Sequence, residues 1–140
     1  MPLLPRKSVL AIAAVTDIAL DARNWPVAAK ALASRHRLPP RHLEPVLQAL
    51  VREGILKGVR GPRGGYGLAR EQSRITADDI LRAARTVDDG TEEPIPGTAL
   101  LRQVVAPALA HAEDAFSNAL SRISVEDLAR AATALRKATE

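Results

Sequence analysis

Gly61-Pro62-Arg63-Gly64-Gly65 is the stretch that most restricts what this chain can become. Three glycines and a proline in five residues extend neither a helix nor a strand. They make a tight turn, because glycine takes positive φ without a Cβ clash and proline presets its own φ. The flanking segments, Ile55 to Arg60 and Tyr66 to Ala69, are short enough to be the two strands of a hairpin. Just ahead, Leu43, Val46, Leu47, Leu50 and Val51 recur at i, i+3, i+4, i+7 and i+8, the apolar stripe of a helix. Its other side carries Arg41, Pro45, Gln48 and Arg52, with Glu44 at the border, and Gly54 ends it by taking the left-handed conformation cheaply. Val27 to His36 supplies a shorter helix upstream. Helix, turn, helix and a two-stranded ribbon tipped by Arg60 and Arg63 describe a winged helix-turn-helix. The second helix of such a module enters the major groove, and the wing reaches backbone or minor groove.

Particular residues narrow this further. His42-Leu43-Glu44, then Gly54-Ile55-Leu56, then Val59 through Tyr66, then Leu68-Ala69-Arg70 together resemble the Rrf2 family of bacterial winged-helix transcription regulators. A looser likeness runs through Ile75 to Ile80, and from Val9 on to the last helix. The resemblance implies a mainly α fold: a winged helix-turn-helix with a two-stranded β wing plus a long C-terminal dimerisation helix. It implies a homodimeric, sequence-specific DNA-binding regulator, a repressor, acting on double-stranded DNA at a near-palindromic operator. Arg41, His42, Glu44 and Gln48 would then face base edges, with Glu44 suited to cytosine N4 and Gln48 to adenine. Arg60 and Arg63 would lie at the wing tip, and Arg6, Lys7, Arg52 and Lys57 would meet phosphates. For each of these the plain alternative is a solvated surface side chain.

The charge distribution agrees with a reading face on one side. Residues 1–75 hold 13 Lys/Arg against 5 Asp/Glu, whereas residues 76–140 hold 7 against 11. A basic half that contains the helix-turn-helix suits a polyanion, although an arginine-rich surface also follows from a GC-rich genome. The alternative function, a winged-helix protein-interaction module without specific DNA binding, needs no such basic face. Single-stranded RNA binding would call for clustered stacking aromatics, and Trp25, Tyr66 and Phe116 are scattered.

Catalysis finds no support. His36, His42 and His111 stand at no ligand spacing, no nucleophile–base motif is present, and the glycine-rich turn leads into a strand, unlike a phosphate-binding loop. No metal site and no cofactor is expected. Cysteine is absent from all 140 residues, which excludes disulfides, thiolate chemistry and cysteine-held metal. No apolar run reaches the ~18–20 residues of a membrane span. The start of the chain lacks a signal peptide's ordered regions, so a cytoplasmic protein with no membrane partner is expected.

The chain divides into a DNA-binding domain at 1–85, an acidic loop at 86–97 and a helical dimerisation region at 98–140. Ser8 to Leu20 is predicted as a first helix, with Val9, Ile12, Ala13, Thr16 and Leu20 on its apolar side. Trp25, beside Pro26, is expected to cap an edge of the core. Arg37 sits at the turn between the two motif helices, where many members of the resembled family have glycine; a left-handed residue there would cost ~1 kcal/mol. Pro40 suits the first turn of a helix. Pro45 does not suit its place, since it removes a helical N–H. Either the helix starts a turn later than Pro40 or its first turns are bent.

Thr76 to Asp79 reads as a capping box. The loop that follows, with Asp88, Asp89, Glu92 and Glu93, matches no calcium spacing and is expected to be solvated. In the iron–sulfur members of the resembled family this loop carries the cluster cysteines; here any signal would have to arrive through a small molecule or a partner protein. Thr98 to Arg122 is a long helical pattern that Pro107 should kink or shorten. On it Leu101, Val105, Leu109, Ala112, Phe116 and Leu120 are the expected dimer interface. Ser124 to Asp127 caps a last helix that ends near Ala138.

Overall fold

The computed structural model describes residues 4–87 and 97–139. Among these, six α-helices and one two-stranded sheet follow in the order α1 (Arg6–Leu20), α2 (Ala29–Arg35), α3 (Pro40–Arg52), β1 (Leu56–Val59), β2 (Gly65–Leu68), α4 (Ala77–Arg85), α5 (Ala106–Leu120) and α6 (Val125–Thr139). The mainly helical winged helix-turn-helix expected from the sequence is what the chain forms. The acidic residues Asp88, Asp89, Glu92 and Glu93 lie outside the described residues.

The two helix-turn-helix helices end alike. After α3, the Gly54 N–H donates to the Val51 carbonyl and the Ile55 N–H to that of Leu50, with Gly54 at φ 75°. This Schellman closure returns two carbonyls to hydrogen bonds and folds Ile55 back beside Leu50, both buried. After α2, Arg37 donates to Ser34 and Leu38 to Ala33 in the same pattern, with Arg37 at φ 54°. The left-handed turn is therefore kept without glycine. Helix α3 runs from Pro40 with Pro45 inside it, so the first of the two expectations for Pro45, a later start, is not met.

One core gathers the whole winged domain. Ile18 of α1, Leu32 of α2, Leu43, Leu47 and Leu50 of α3, Ile55, Leu56, Ile75 and Ile80 are all essentially inaccessible, and Val125 of α6 joins them. Two of the sequence groupings change on this account. Helix α6, grouped by its position with the dimerisation region, packs on α1 through Val125 and Ala129. Its start is tied to the start of α4, where Val125 donates to the Ile75 carbonyl and Ala77 to that of Ile123. The buried face of α1 is Ser8, Ala11, Ala14, Val15, Ile18 and Ala19, not the expected stripe. Val9, Ile12, Ala13, Thr16 and Leu20 instead line a groove against Leu128 and Leu135 of α6. Because α1 is apolar on nearly every side, periodicity could not choose a face, and its alanines allow the closest packing.

Both predicted capping boxes are present. Thr76 Oγ1 accepts from the Asp79 N–H at 3.1 Å and Asp79 Oδ2 from the Thr76 N–H at 3.1 Å. Ser124 and Asp127 repeat the exchange at the head of α6. Upstream of α5 the chain is already helical, but Leu101–Val105 form a π-turn in which Ala106 donates to Leu101. The wider turn sits just before Pro107, whose ring would clash with the carbonyl four residues back in a regular helix. Leu120 and Phe116 pack with Ala77 and Leu81 in a small second cluster. Beside it Ser117 Oγ donates to the buried Asp78 carboxylate at 2.7 Å, and Arg82 Nε pairs with the other oxygen at 2.9 Å. These contacts join α5 to α4.

Candidate nucleic-acid interface

Helix α3 separates sharply into two sides. Leu43, Val46, Leu47, Ala49 and Leu50 are buried, while Arg41, His42, Glu44, Pro45, Gln48 and Arg52 are exposed. Of the four residues expected to face base edges, Arg41, Glu44 and Gln48 share one uncovered surface that Arg52 continues to the last turn, while His42 is exposed beside it, toward α1. A helix with such a buried face cannot rotate to hide these side chains, because each 100° step would expose a leucine.

The wing stands next to this surface. Its strands pair antiparallel in the register Leu56↔Leu68, Lys57↔Gly67, Gly58↔Tyr66 and Val59↔Gly65. Gly64 donates to the Gly61 carbonyl at 2.9 Å to close the turn, and Arg60 and Arg63 are exposed at the tip. Alternation along the strands gives the ribbon two faces. Tyr66 lies on the face toward α3, and its hydroxyl accepts from Gln48 Nε2 at 3.0 Å. Between wing and helix lies an open cleft of about 490 Å³, lined by Gln48, Val51, Arg60, Gly64 and Tyr66 among others.

Lys57 lies on the other face. Its ammonium sits 5.4 Å from the centre of the Trp25 ring, a cation–π distance. The indole covers Gly67 so closely that a Cβ there would collide with it. Trp25, half exposed, therefore caps the outer side of the wing, not an edge of the helical core. A third chain segment fastens β2, since Val27 and Tyr66 exchange both backbone hydrogen bonds at 2.9 and 2.8 Å.

The N-terminal residues reach the same region from below. Arg6, Lys7 and His42 border a cleft of about 310 Å³ floored by Leu10, Leu38, Leu43 and Val46. Arg6 is exposed, but Lys7 is half-buried and its Nζ donates to the Val87 carbonyl at 2.7 Å. Lys7 thus has a structural partner that its sequence position did not suggest. Of the expected dimer residues, Leu109 is 59% exposed and Ala112 is exposed, while Leu101, Val105 and Phe116 are partly covered. Leu120 is only 8% exposed against its own α4, so its stripe position overstated its freedom. Leu100 and Val104, outside the expected interface set, are 64% and 59% exposed on the same long helical segment.

The comparisons decide which winged helix this is. A family model described as Rrf2, iron-dependent transcriptional regulator, matches residues 4–131. The chain belongs to the Rrf2 family. A Synechocystis sp. protein named as an HTH-type transcriptional regulator is 38% identical over 93 residues, 66% of this chain and 60% of that one. The IscR regulator of Xenorhabdus nematophila is 32% identical over 88 residues, 63% of this chain and 54% of that one. The matched part thus spans about 60% or less of these relatives' own length. Among solved structures, T. potens IscR superposes with a TM-score of 0.70 at 26% identity, covering 92% of this chain and 87% of that one. CymR of B. subtilis gives 0.68 at 25% identity, covering 91% and 95%. Neither the family nor the fold is that of an enzyme.

The family description speaks of iron, and the donors of this Rrf2 chain can be tested against that. Iron–sulfur clusters are held mainly by cysteine thiolates, and the chain has no cysteine. Among the described residues no three His, Asp or Glu side chains come together as a possible metal site. The residues present do not fit a protein-held cluster.

Proposed function

We propose that this Rrf2 chain is a homodimeric, sequence-specific DNA-binding repressor of transcription. Helix α3 enters the major groove of double-stranded DNA, and the wing lies along the adjacent backbone and minor groove. The observation that carries the reading is the continuous exposed surface of Arg41, Glu44, Gln48 and Arg52 beside the Arg60–Arg63 tip. That surface presents hydrogen-bonding side chains for base edges next to cations for phosphates, the division of labour that specific binding needs. The cleft between α3 and the wing takes the phosphate backbone, and Arg6 with His42 meets it from the other side.

Two-fold pairing is supported by α5, whose uncovered Leu109 and the nearby Leu100 and Val104 form an apolar row that a second copy would cover. Occupancy of an operator that overlaps a promoter would block transcription with no further surface, which is the form of repression proposed. A DNA partner places the protein in the cytoplasm, and among the described residues no helix is long and apolar enough to cross a membrane.

Selection from a random duplex library with the purified chain tests the whole reading. We expect a near-palindromic site with half-sites about one helical turn apart, and binding that weakens steeply with salt. Salt-sensitive binding with no preferred sequence would overturn specificity. No duplex binding at all would leave a winged-helix protein-interaction module.

A further inference from the structure

Pro45 sits inside α3, on its exposed side, in the same patch as Arg41, Glu44 and Gln48. A proline there deprives the Arg41 carbonyl of the N–H four residues on, the costliest ordinary substitution in a helix interior. Packing among the described residues does not offset that loss: the ring is exposed, and the helix is held by the opposite face through Leu43, Val46, Leu47 and Leu50. Alanine or glutamine at this position would keep the hydrogen bond. A local rule broken without structural return, at the centre of a binding surface, marks a functional site.

The chemistry left at that point is narrow. Arg41, Glu44 and Gln48 offer charge and hydrogen bonds, whereas Pro45 offers only a rigid patch of CH₂ groups. In the major groove the apolar feature of a base pair is the C5-methyl of thymine, which 5-methylcytosine also carries. We propose that Pro45 is a specificity residue that packs its ring on a pyrimidine C5-methyl group, that of thymine, in each half-site. This rests on α3 being the base-reading helix.

The test uses the full chain and the duplex recovered by selection. Each dT is replaced singly by deoxyuridine, which deletes the methyl and leaves pairing intact, and each dC by 5-methyl-dC. One dT per half-site should show about fourfold weaker binding as deoxyuridine, the ratio that corresponds to roughly 0.8 kcal/mol for one buried methyl-sized group. In Pro45→Ala that ratio should fall to one, while the thermal midpoint of the free protein rises because the helix regains its hydrogen bond. If only a 5-methyl-dC strengthens binding, and Pro45→Ala abolishes the gain, the methyl contact stands with methylated cytosine as its source. A selected site at which no pyrimidine methyl matters, or a methyl effect unchanged in Pro45→Ala, overturns the inference while leaving sequence-specific binding intact. Failure to select any sequence overturns the base-reading role of α3 itself, and this inference with it.

Discussion

Gln48 on α3 donates to the hydroxyl of Tyr66 on the wing at 3.0 Å, so the two elements proposed to face DNA are tied to each other ahead of any contact with it. The side chain that the sequence suggests for reading adenine is also one end of a brace between helix and ribbon. Tyr66→Phe removes the brace and keeps the ring that packs against the core. An exposed hydrogen bond contributes about 0.5–1.5 kcal/mol. We therefore expect the thermal midpoint to fall by a few degrees at most and operator affinity to fall roughly two- to tenfold, because the wing must then be fixed against α3 on binding instead of beforehand. Fluorescence anisotropy titration and a melting curve on the same preparation read the two effects. Unchanged affinity would show that Gln48 and the wing act independently.

The wing arginines give a prediction with a different signature. Arg60 and Arg63 are exposed at the tip of the ribbon, so Arg60→Ala and Arg63→Ala should leave stability as it is. Taking one cation away from the phosphates should make the dependence of log affinity on log salt shallower by about one unit. Titration over a series of salt concentrations measures the slope. A wild-type slope in both variants would remove the wing from the interface.

Assembly is tested at Leu109. Its side chain is 59% exposed and, among the described residues, belongs to neither apolar cluster, so Leu109→Asp is suited to testing an intermolecular contact. Burying the unpaired carboxylate would cost several kcal/mol, roughly. Sedimentation at micromolar concentration should give a dimer for the wild type and a monomer for the variant, with weaker operator binding. Phe116→Asp is the poorer probe, because Phe116 also packs beside Leu81 and Leu120 of its own chain. A monomeric wild type would refute the homodimer.

Arg37 at φ 54° holds the turn between α2 and α3 in a conformation that costs a side chain about 1–2 kcal/mol. Arg37→Gly removes that strain but adds freedom to the unfolded chain. The net should be a gain of about 1 kcal/mol, a rise of a few degrees in thermal midpoint. A lower midpoint would mean that the Arg37 side chain contributes more than its backbone loses.

The iron in the family description leads to a spectroscopic expectation. With no thiolate in the chain, protein purified without oxygen should be colourless and should bind operator equally with and without an iron chelator. A visible charge-transfer band accompanied by about two or more irons per chain would contradict this.

The elements that the sequence determined are those whose interactions close within a few residues. Gly54 and Ile55 end α3 by bonds to Val51 and Leu50 in turn; Gly61 and Gly64 close the wing turn; Thr76–Asp79 and Ser124–Asp127 cap their helices. Each involves partners three to five positions apart, so residue type and spacing suffice. The buried stripe of α3 was legible for a similar reason, because polar side chains leave one apolar face. What the tertiary structure decided are choices among chemically equal options. Helix α1 offers apolar residues on every side, and only the packing of α4 and α6 shows that Ala11, Ala14 and Ile18 go inward. Leu120 and Leu109 look alike along one stripe, yet α4 covers the first and leaves the second open. Lys7 reaches Val87 eighty residues away, Ser117 reaches Asp78, and Trp25 lies over Gly67. Such pairings depend on how separate elements come to rest against each other, a geometry that no local spacing encodes.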